Sequence, residues 1–229
     1  DNTMHIFLDE LRAGLVNMSN DPVLRQGGGV TVYIDGEADA EGMIAMDPAG
    51  KGGYEAAAYE VFNRFAEANK GAVSVVSLGT TDGGYLQYPA VKRKKGYDSR
   101  SRDWYKESMA ASDKVRITAP FMTSKGTPTI GIFTILKDNE NNPLGVLGIN
   151  IDLPVITDMI SEIKIGETGY MVVVDAEGTI FADPANPDLN FKKLAEVEGD
   201  LSKMANENEG MFDLEIDGVN KVVTVYKSE

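Results

Sequence analysis

The segment at residues 96–105 concentrates the side chains that could bind an anion. It contains Trp104, the only tryptophan of the chain, with two arginines and two tyrosines. Arginine and the indole N–H donate hydrogen bonds and accept none, and the planar guanidinium matches a carboxylate in two-point geometry. Arg102 and Trp104 are two residues apart, so on an extended segment both would point the same way. The segment therefore predicts a carboxylate-binding surface. The alternative is that its aromatic residues belong to the core and its arginines are solvated.

Charge and composition restrict the classes of partner and reaction. The 229-residue chain carries a net charge of −14 at pH 7, which disfavours nucleic acid because phosphate binding requires a basic surface. The basic run at residues 92–95 is either a solvated loop or a source of positive potential beside the motif. One histidine and no cysteine leave histidine-based acid–base chemistry, thiol catalysis and cysteine metal sites almost without candidates, and no spacing singles out a catalytic pair among the 36 acidic residues. We therefore predict no enzyme, no catalytic residue, no metal site and no cofactor.

Apolar periodicity places helices and strands around the motif. Helical spacing predicts helices near residues 4–18, 54–70, 104–111 and 153–163. Alternation between turn signals predicts strands near residues 73–78, 85–88, 115–121, 129–136 and 144–151. The second half repeats this order in shortened form, with strands near 169–174, 179–181, 211–216 and 219–226 and short helices near 190–195 and 201–208. The pattern indicates an α+β fold of two tandem antiparallel-sheet modules on one N-terminal helix.

These features resemble the double Cache (dCache) extracellular sensor domain of bacterial methyl-accepting chemotaxis receptors. The resemblance covers nearly the whole chain and rests on the segments LGTTDGGY (78–85), 97–105, GVLGINID (145–152), IGETGY (165–170) and VDAEG (174–178). It implies PAS-like modules attached to a long N-terminal helix. The implied organisation is an N-terminal helix and variable connecting segment at 1–53, a ligand-binding, membrane-distal module at 54–164 and a membrane-proximal module at 165–229.

Members of this family that bind amino acids share a residue set in the distal module. Tyr97, Arg102, Trp104 and Tyr105 match that set in this sequence. The resemblance implies that Arg102, Trp104 and Tyr97 engage the α-carboxylate of an amino acid. The implied role agrees with the donor-rich character of the segment.

The same resemblance implies that Asp152 accepts the α-ammonium group. A zwitterion needs donors at one end and an acceptor at the other, and Asp152 ends an otherwise apolar strand. The alternative is that Asp152 caps the following helix, in which Pro154 holds an early position. Phe121 stands near a position where the family often has tyrosine, and the lost hydroxyl leaves the ligand range open.

The resulting prediction is a periplasmic, extracytoplasmic sensor domain of an inner-membrane receptor that binds a small L-amino acid or related amine-carboxylate. No apolar run is long enough to cross a bilayer, but the first helical pattern is already under way at the start, which predicts a piece of a longer protein. A homodimer is expected in the full receptor. Two alternatives stay open: an interaction module that recognises a periplasmic binding protein or mediates dimerisation, and a carboxylate-using hydrolase.

Overall fold

Two compact units divide the chain, Asp1–Val155 and Ile156–Glu229. The computed structural model describes residues 2–111, 114–119, 121–123, 127–163, 165–175, 177–216 and 218–226. The predicted boundary between the two modules falls at Lys164, which lies outside the described residues.

The described α-helices are α1 (Asn2–Ser19), α2 (Pro22–Gln26), α3 (Pro48–Lys51), α4 (Gly53–Ala68), α5 (Asp103–Ala110) and α6 (Leu153–Ser161). Short 3-10 helices lie at Ser99–Ser101, Pro187–Leu189, Leu194–Glu196 and Asp200–Asn206. The strands of the first unit are β1 (Met43–Ile44), β2 (Val75–Thr80), β3 (Tyr85–Tyr88), β4 (Arg93–Lys94), β5 (Arg116–Ile117), β6 (Phe121–Met122), β7 (Pro128–Lys137) and β8 (Pro143–Asp152). Those of the second are β9 (Val173–Val174), β10 (Ile180–Ala182), β11 (Glu209–Ile216) and β12 (Val219–Tyr226).

A six-stranded antiparallel sheet organises the first unit. Its strand order is β3-β2-β8-β7-β5, and β6 also pairs with β7. The long β7–β8 hairpin turns at Asp138, whose carboxylate accepts hydrogen bonds from the backbone N–H groups of Glu140 and Asn142, both at 2.8 Å. Asn141 adopts a φ of 66°, a conformation that asparagine tolerates better than most residues. The mixed helical and antiparallel character predicted from the sequence is confirmed.

The two faces of this sheet differ in chemistry because alternate residues of a strand point to opposite sides. One face, the apolar face, packs against α1 and α4 and carries fully buried aliphatic side chains: Val76, Leu78, Leu86, Ile130, Ile132, Leu147, Ile149 and Ile151. The other face, the polar face, packs against α5. By strand register it carries Ser77, Gly79, Tyr85, Gln87, Thr129, Gly131, Phe133, Gly148, Asn150 and Asp152. The apolar face forms the main core of this unit. The polar face holds a smaller core cluster of Tyr105, Phe133 and Val146 under α5, and most of its remaining positions are glycines or carry polar side chains.

The predicted strand at 115–121 is wrong as a continuous element. The structure has instead the two short strands β5 and β6. Both strands pair with β7, and between them the hydroxyl oxygen of Thr118 accepts the backbone N–H of Gly131 at 3.0 Å. A side chain thus replaces a backbone carbonyl as the acceptor, and regular pairing stops there.

The second unit is built from two two-stranded antiparallel sheets, β9–β10 and β11–β12. Its core cluster consists of Ile180, Leu194, Met204, Leu214 and Ile216. The predicted helix at 190–195 is wrong. Phe191 has a φ of 72°, outside the helical region, and a 3-10 turn follows at Leu194–Glu196.

Candidate ligand-binding site

Glycines on the polar face create a shelf for aromatic rings. Phe133 lies opposite Gly148 across β7 and β8, and its ring occupies the space that a Cβ on either Gly131 or Gly148 would need. The indole of Trp104 stacks on this ring with a centroid distance of 4.9 Å and an interplanar angle of 14°. Trp104 also reaches over Gly79, where a Cβ would lie 3.1 Å from its Cη2. The small residues therefore set where the tryptophan lies.

The segment that carries Trp104 is held by local hydrogen bonds. The Asp98 carboxylate accepts the backbone N–H of Arg100 at 2.9 Å and its guanidinium at 2.8–3.2 Å. These contacts hold the pKa of Asp98 below its usual value and fix the turn at Ser99–Ser101. Arg102 is extended, with φ −83° and ψ 146°, and α5 begins at the next residue. Trp104 is therefore helical, and the expectation that Arg102 and Trp104 lie side by side on an extended segment is wrong.

Among the four predicted ligand-binding residues of this segment, Arg102 and Trp104 have polar groups that no described residue engages. Arg102 is exposed, and its Cζ lies 5.2 Å from the ring centroid of Tyr97. Its guanidinium donates to no residue that the structure describes, and the same holds for the indole N–H of Trp104. Burial raises the pKa of Tyr97, which keeps it a neutral phenol. Tyr105 is 6% exposed and packs edge-to-face on Trp104, so it supports the indole from the core.

Asp152 ends β8 on the polar face and is positioned by two hydroxyls. Its Oδ1 accepts hydrogen bonds from Ser74 at 2.6 Å and from Thr129 at 3.1 Å. No donor to Oδ2 occurs among the described residues. Phe121 pairs with Thr129, which in turn pairs with Asp152, so one strand separates Phe121 from this acid. The sequence missed Asn150, two residues earlier, whose Oδ1 is buried without a hydrogen-bond partner.

The donor residues and the acidic residue share one face but do not touch. Asp152 lies four residues beyond Gly148, which corresponds to about 13 Å along a strand. Within the described ranges, no hydrogen bond or ring contact joins the Arg102–Trp104 segment to Asp152. The arrangement offers donors at one end of a shelf and acceptors at the other, with aromatic rings between them.

One arginine beside this shelf, Arg93, was also missed. Arg93 extends over the rings of Tyr85 and Tyr97, with its Cζ 4.7 and 4.9 Å from their centroids. It hydrogen-bonds the Tyr85 hydroxyl at 3.2 Å and the side-chain oxygen of Gln87. The basic run at 92–95 indicated positive charge beside the motif, but nothing in the composition of the run distinguishes Arg93 from its exposed neighbours.

No group of three or more His, Cys, Asp or Glu side chains in the described ranges could hold a metal ion. No helix in the same ranges combines the length and apolar character needed to cross a membrane.

Comparison with known proteins places the chain in a family. The family model for the Cache domain matches residues 23–229. The chain belongs to the Cache domain family. Within it, this Cache domain is similar to a probable methyl-accepting chemotaxis protein of Bacillus thuringiensis, at 32% identity over 167 residues, 72% of the chain and 24% of the relative. It is also 30% identical over 164 residues to the methyl-accepting chemotaxis protein McpA of Bacillus subtilis, covering 71% of the chain and 23% of the relative. The chain thus spans about a quarter of the length of these receptors.

Solved structures with the same fold include ligand-binding domains of chemoreceptors. That of the Pseudomonas aeruginosa amino acid chemoreceptor PctC in complex with GABA has a TM-score of 0.68 at 21% identity, covering 96% of this Cache domain and 84% of that chain. That of the Pseudomonas fluorescens chemoreceptor CtaA in complex with L-serine has a TM-score of 0.70 at 20% identity, covering 96% and 82%. At these identities the similarity establishes the fold.

Proposed function

We propose that this Cache domain is the extracytoplasmic sensor of a transmembrane chemoreceptor and binds a small L-amino acid in its first unit. The observation that carries the proposal is the polar face of the sheet. Donors of Arg102 and Trp104 without described partners lie at one end, and the Oδ2 of Asp152 lies at the other. An amino acid presents the complementary groups, a carboxylate and an ammonium.

The known proteins support the same ligand class. The relatives are methyl-accepting chemotaxis proteins, and similar solved domains were crystallised with GABA, L-serine and L-isoleucine. The residue set Tyr97, Arg102, Trp104 and Tyr105, with Asp152, would then hold the ligand, and Phe121 would line the site on the far side of Thr129. Such receptors bind and signal without catalysis, so we infer that the domain is not an enzyme.

We infer further that the two units correspond to two modules of a double Cache domain. The module at 54–164 would be membrane-distal, preceded by the helix and connecting segment at 1–53, and the module at 165–229 would be membrane-proximal. The parent protein would be anchored in the inner membrane, with this domain in the periplasm and the receptor a homodimer. Light scattering of the purified chain with and without ligand would test the dimer.

We infer that ligand binding shifts α1 through strands β7 and β8. Strands β7 and β8 carry Phe133, Gly148 and Asp152 on the polar face, and α1 contacts the same two strands. A small zwitterion spans only a few ångströms, so we infer that it draws the Arg102 segment toward Asp152. It can shift the receptor between two states only by the difference in its affinity for them.

The test is a calorimetric screen of the purified chain against the common L-amino acids. We expect at least one to bind in the micromolar to millimolar range, about −8 to −4 kcal/mol. Arg102→Ala should weaken binding at least about tenfold, because a hydrogen bond to a charged group contributes about 1.5–3 kcal/mol. Lys106→Ala removes an exposed cation from the same region and should leave the affinity unchanged.

Two outcomes would contradict the proposal. Equal affinity of Arg102→Ala and wild type would remove Arg102 from the site. No binding by any amino acid would favour the interaction module. Exposed apolar side chains on β11 and β12, Met211, Val222 and Tyr226 at 73%, 63% and 72%, are typical of a contact surface and are where cross-linking would then be directed.

A further inference from the structure

Arg93 is a cation without an acidic partner in the described part of the chain. The ion pairs found there involve other residues. Its Nη2 donates to the hydroxyl of Tyr85 and the amide oxygen of Gln87, and both acceptors are neutral. Arg93 is half-buried, and its Nε is buried and has no hydrogen-bond partner. A charged group with a buried, unpaired donor is costly, so an anion beside Arg93 would be stabilising.

The guanidinium is held in place by its surroundings. Gln87 is 4% exposed and donates its own amide to the carbonyl of Pro89 at 2.9 Å, while Tyr85 donates to Gln87 Oε1 at 3.2 Å. The backbone of Arg93 pairs with Ile44 in the β1–β4 ladder. A cation fixed between neutral acceptors and aromatic faces loses little freedom when it binds an anion.

Glu55 is the buried acid in this part of the fold, and its hydrogen bonds are directed elsewhere. Glu55 is fully buried. Its carboxylate accepts hydrogen bonds from the backbone N–H of Thr31 at 2.6 Å and from the hydroxyl of Thr31 at 2.9 Å. It forms no ion pair with Arg93 within the residues described. Glu55 therefore satisfies the Thr31 segment and leaves Arg93 without a counter-charge.

Arg93 and Arg102 converge on one tyrosine. Their Cζ atoms lie 4.9 and 5.2 Å from the centroid of the Tyr97 ring, so the two cations are at most about 10 Å apart. Arg93 lies over the ring of Tyr85. Tyr85 pairs across the strands with Gly79, and the indole of Trp104 covers Gly79. Arg93 is thus continuous with the donor end of the proposed ligand site.

The resulting charge pattern is two cations at one end and one acid, Asp152, at the other. We infer that Arg93 binds a second carboxylate and that the ligand is an α-amino acid with an acidic side chain. This inference rests on the proposed function and names its ligand class. An amino acid with a neutral side chain would leave the Arg93 guanidinium without an anion, whereas a side-chain carboxylate would supply one in two-point geometry.

The test compares acids with their own amides, which match them in shape. Binding of L-aspartate, L-asparagine, L-glutamate and L-glutamine to the wild-type chain is measured by calorimetry, with L-alanine and L-serine as neutral references. We expect at least one acid to bind at least about tenfold more tightly than its amide, as expected for a charge-assisted contact. Alanine or serine binding without any preference for the acids would overturn this inference and leave the proposed function standing. A panel without any binding would also overturn this inference, and the screen of all the common L-amino acids would then decide whether the proposed function fails with it.

Variants test whether Arg93 causes the preference for acids over their amides. Arg93→Gln should bring the acid-to-amide affinity ratio close to one while neutral amino acids keep their affinity within about threefold. Lys94→Gln removes the same charge from the adjacent, exposed position and should leave the ratio unchanged, which separates contact from long-range attraction. Arg93→Lys keeps the charge and should retain part of the preference, and it carries the test if Arg93→Gln fails to fold. Persistence of the full ratio in Arg93→Gln would overturn the inference.

Discussion

Asp152→Asn is the sharpest test of the proposed ammonium end of the site. The substitution keeps the shape of the side chain and removes its charge. An asparagine Oδ1 can still accept the hydroxyls of Ser74 and Thr129, which now lie 2.6 and 3.1 Å from the carboxylate oxygen. The amide nitrogen replaces Oδ2, which has no donor among the described residues. A donor would thus face the ligand ammonium where an acceptor was.

The expected loss follows from the environment of the carboxylate. Hydrogen bonds to charged groups contribute about 1.5–3 kcal/mol, and solvent weakens the interaction at partly exposed positions. Because Asp152 is half-buried, the lower part of that range applies, about 1.5–2 kcal/mol, or about 10–30-fold in Kd. The stability of the ligand-free protein should change little, since both hydroxyl contacts to Oδ1 are retained.

The assay is titration calorimetry with the amino acid that binds wild type most tightly, accompanied by urea unfolding without ligand. Glu140→Gln is the matched control, because it removes the same charge at an exposed position in the turn of the β7–β8 hairpin. The control should bind normally. A Kd for Asp152→Asn within twofold of wild type would show that Asp152 does not contact the ammonium, and the reasoning from the polar face would fail.

Two further predictions concern the support of the site. Gly148→Ala should lower the free energy of unfolding by about 1–3 kcal/mol, because the new Cβ overlaps the ring of Phe133. Gly29→Ala is the control, because a Cβ there meets nothing within 4 Å. Its free energy of unfolding in the same urea titration should stay close to wild type, and an equal loss in both variants would refute the packing argument. Asp98→Asn should lower stability at neutral pH by an amount that shrinks as the pH falls below 3.8. Arg100 lowers the pKa of Asp98 from that value, so its contribution is present above it and is lost as the folded carboxylate protonates. A difference that is independent of pH between about 7 and 3 would contradict this.

The sheet could be predicted from the sequence because the residues of its central strands alternate clearly between the two faces. β8 alternates Leu147, Ile149 and Ile151 on the apolar face with Gly148 and Asn150 on the other, and such alternation is a direct consequence of the strand repeat. The ends of the strands and helices were harder to predict from the sequence. The interruption at Thr118 depends on a side-chain hydroxyl accepting a backbone amide, which no periodicity records.

The site could be predicted only where the motif itself carries the chemistry. The residue types at 97–105 predict anion binding, but the orientation of Trp104 depends on glycines from three different strands and on the ring of Phe133. Arg93 shows the same limit. Its neighbours Lys92 and Lys94 are exposed, and its distinct environment comes from Tyr85 and Tyr97, which the fold brings beside it.

The glycines of the polar face connect packing with the proposed signal. A shelf without Cβ atoms lets aromatic rings lie directly on the backbone of β7 and β8, so a ring displaced by ligand presses on strands rather than on flexible side chains. The opposite face of these strands is occupied by closely packed aliphatic residues such as Ile132 and Ile149, and close-packed interiors transmit displacement because they have little free volume. Since α1 contacts both strands, we expect ligand to alter the amide exchange of α1 in wild type. In a Gly148→Ala protein that still binds, this response should be reduced because Phe133 is already displaced, and an undiminished response would show that coupling bypasses the shelf.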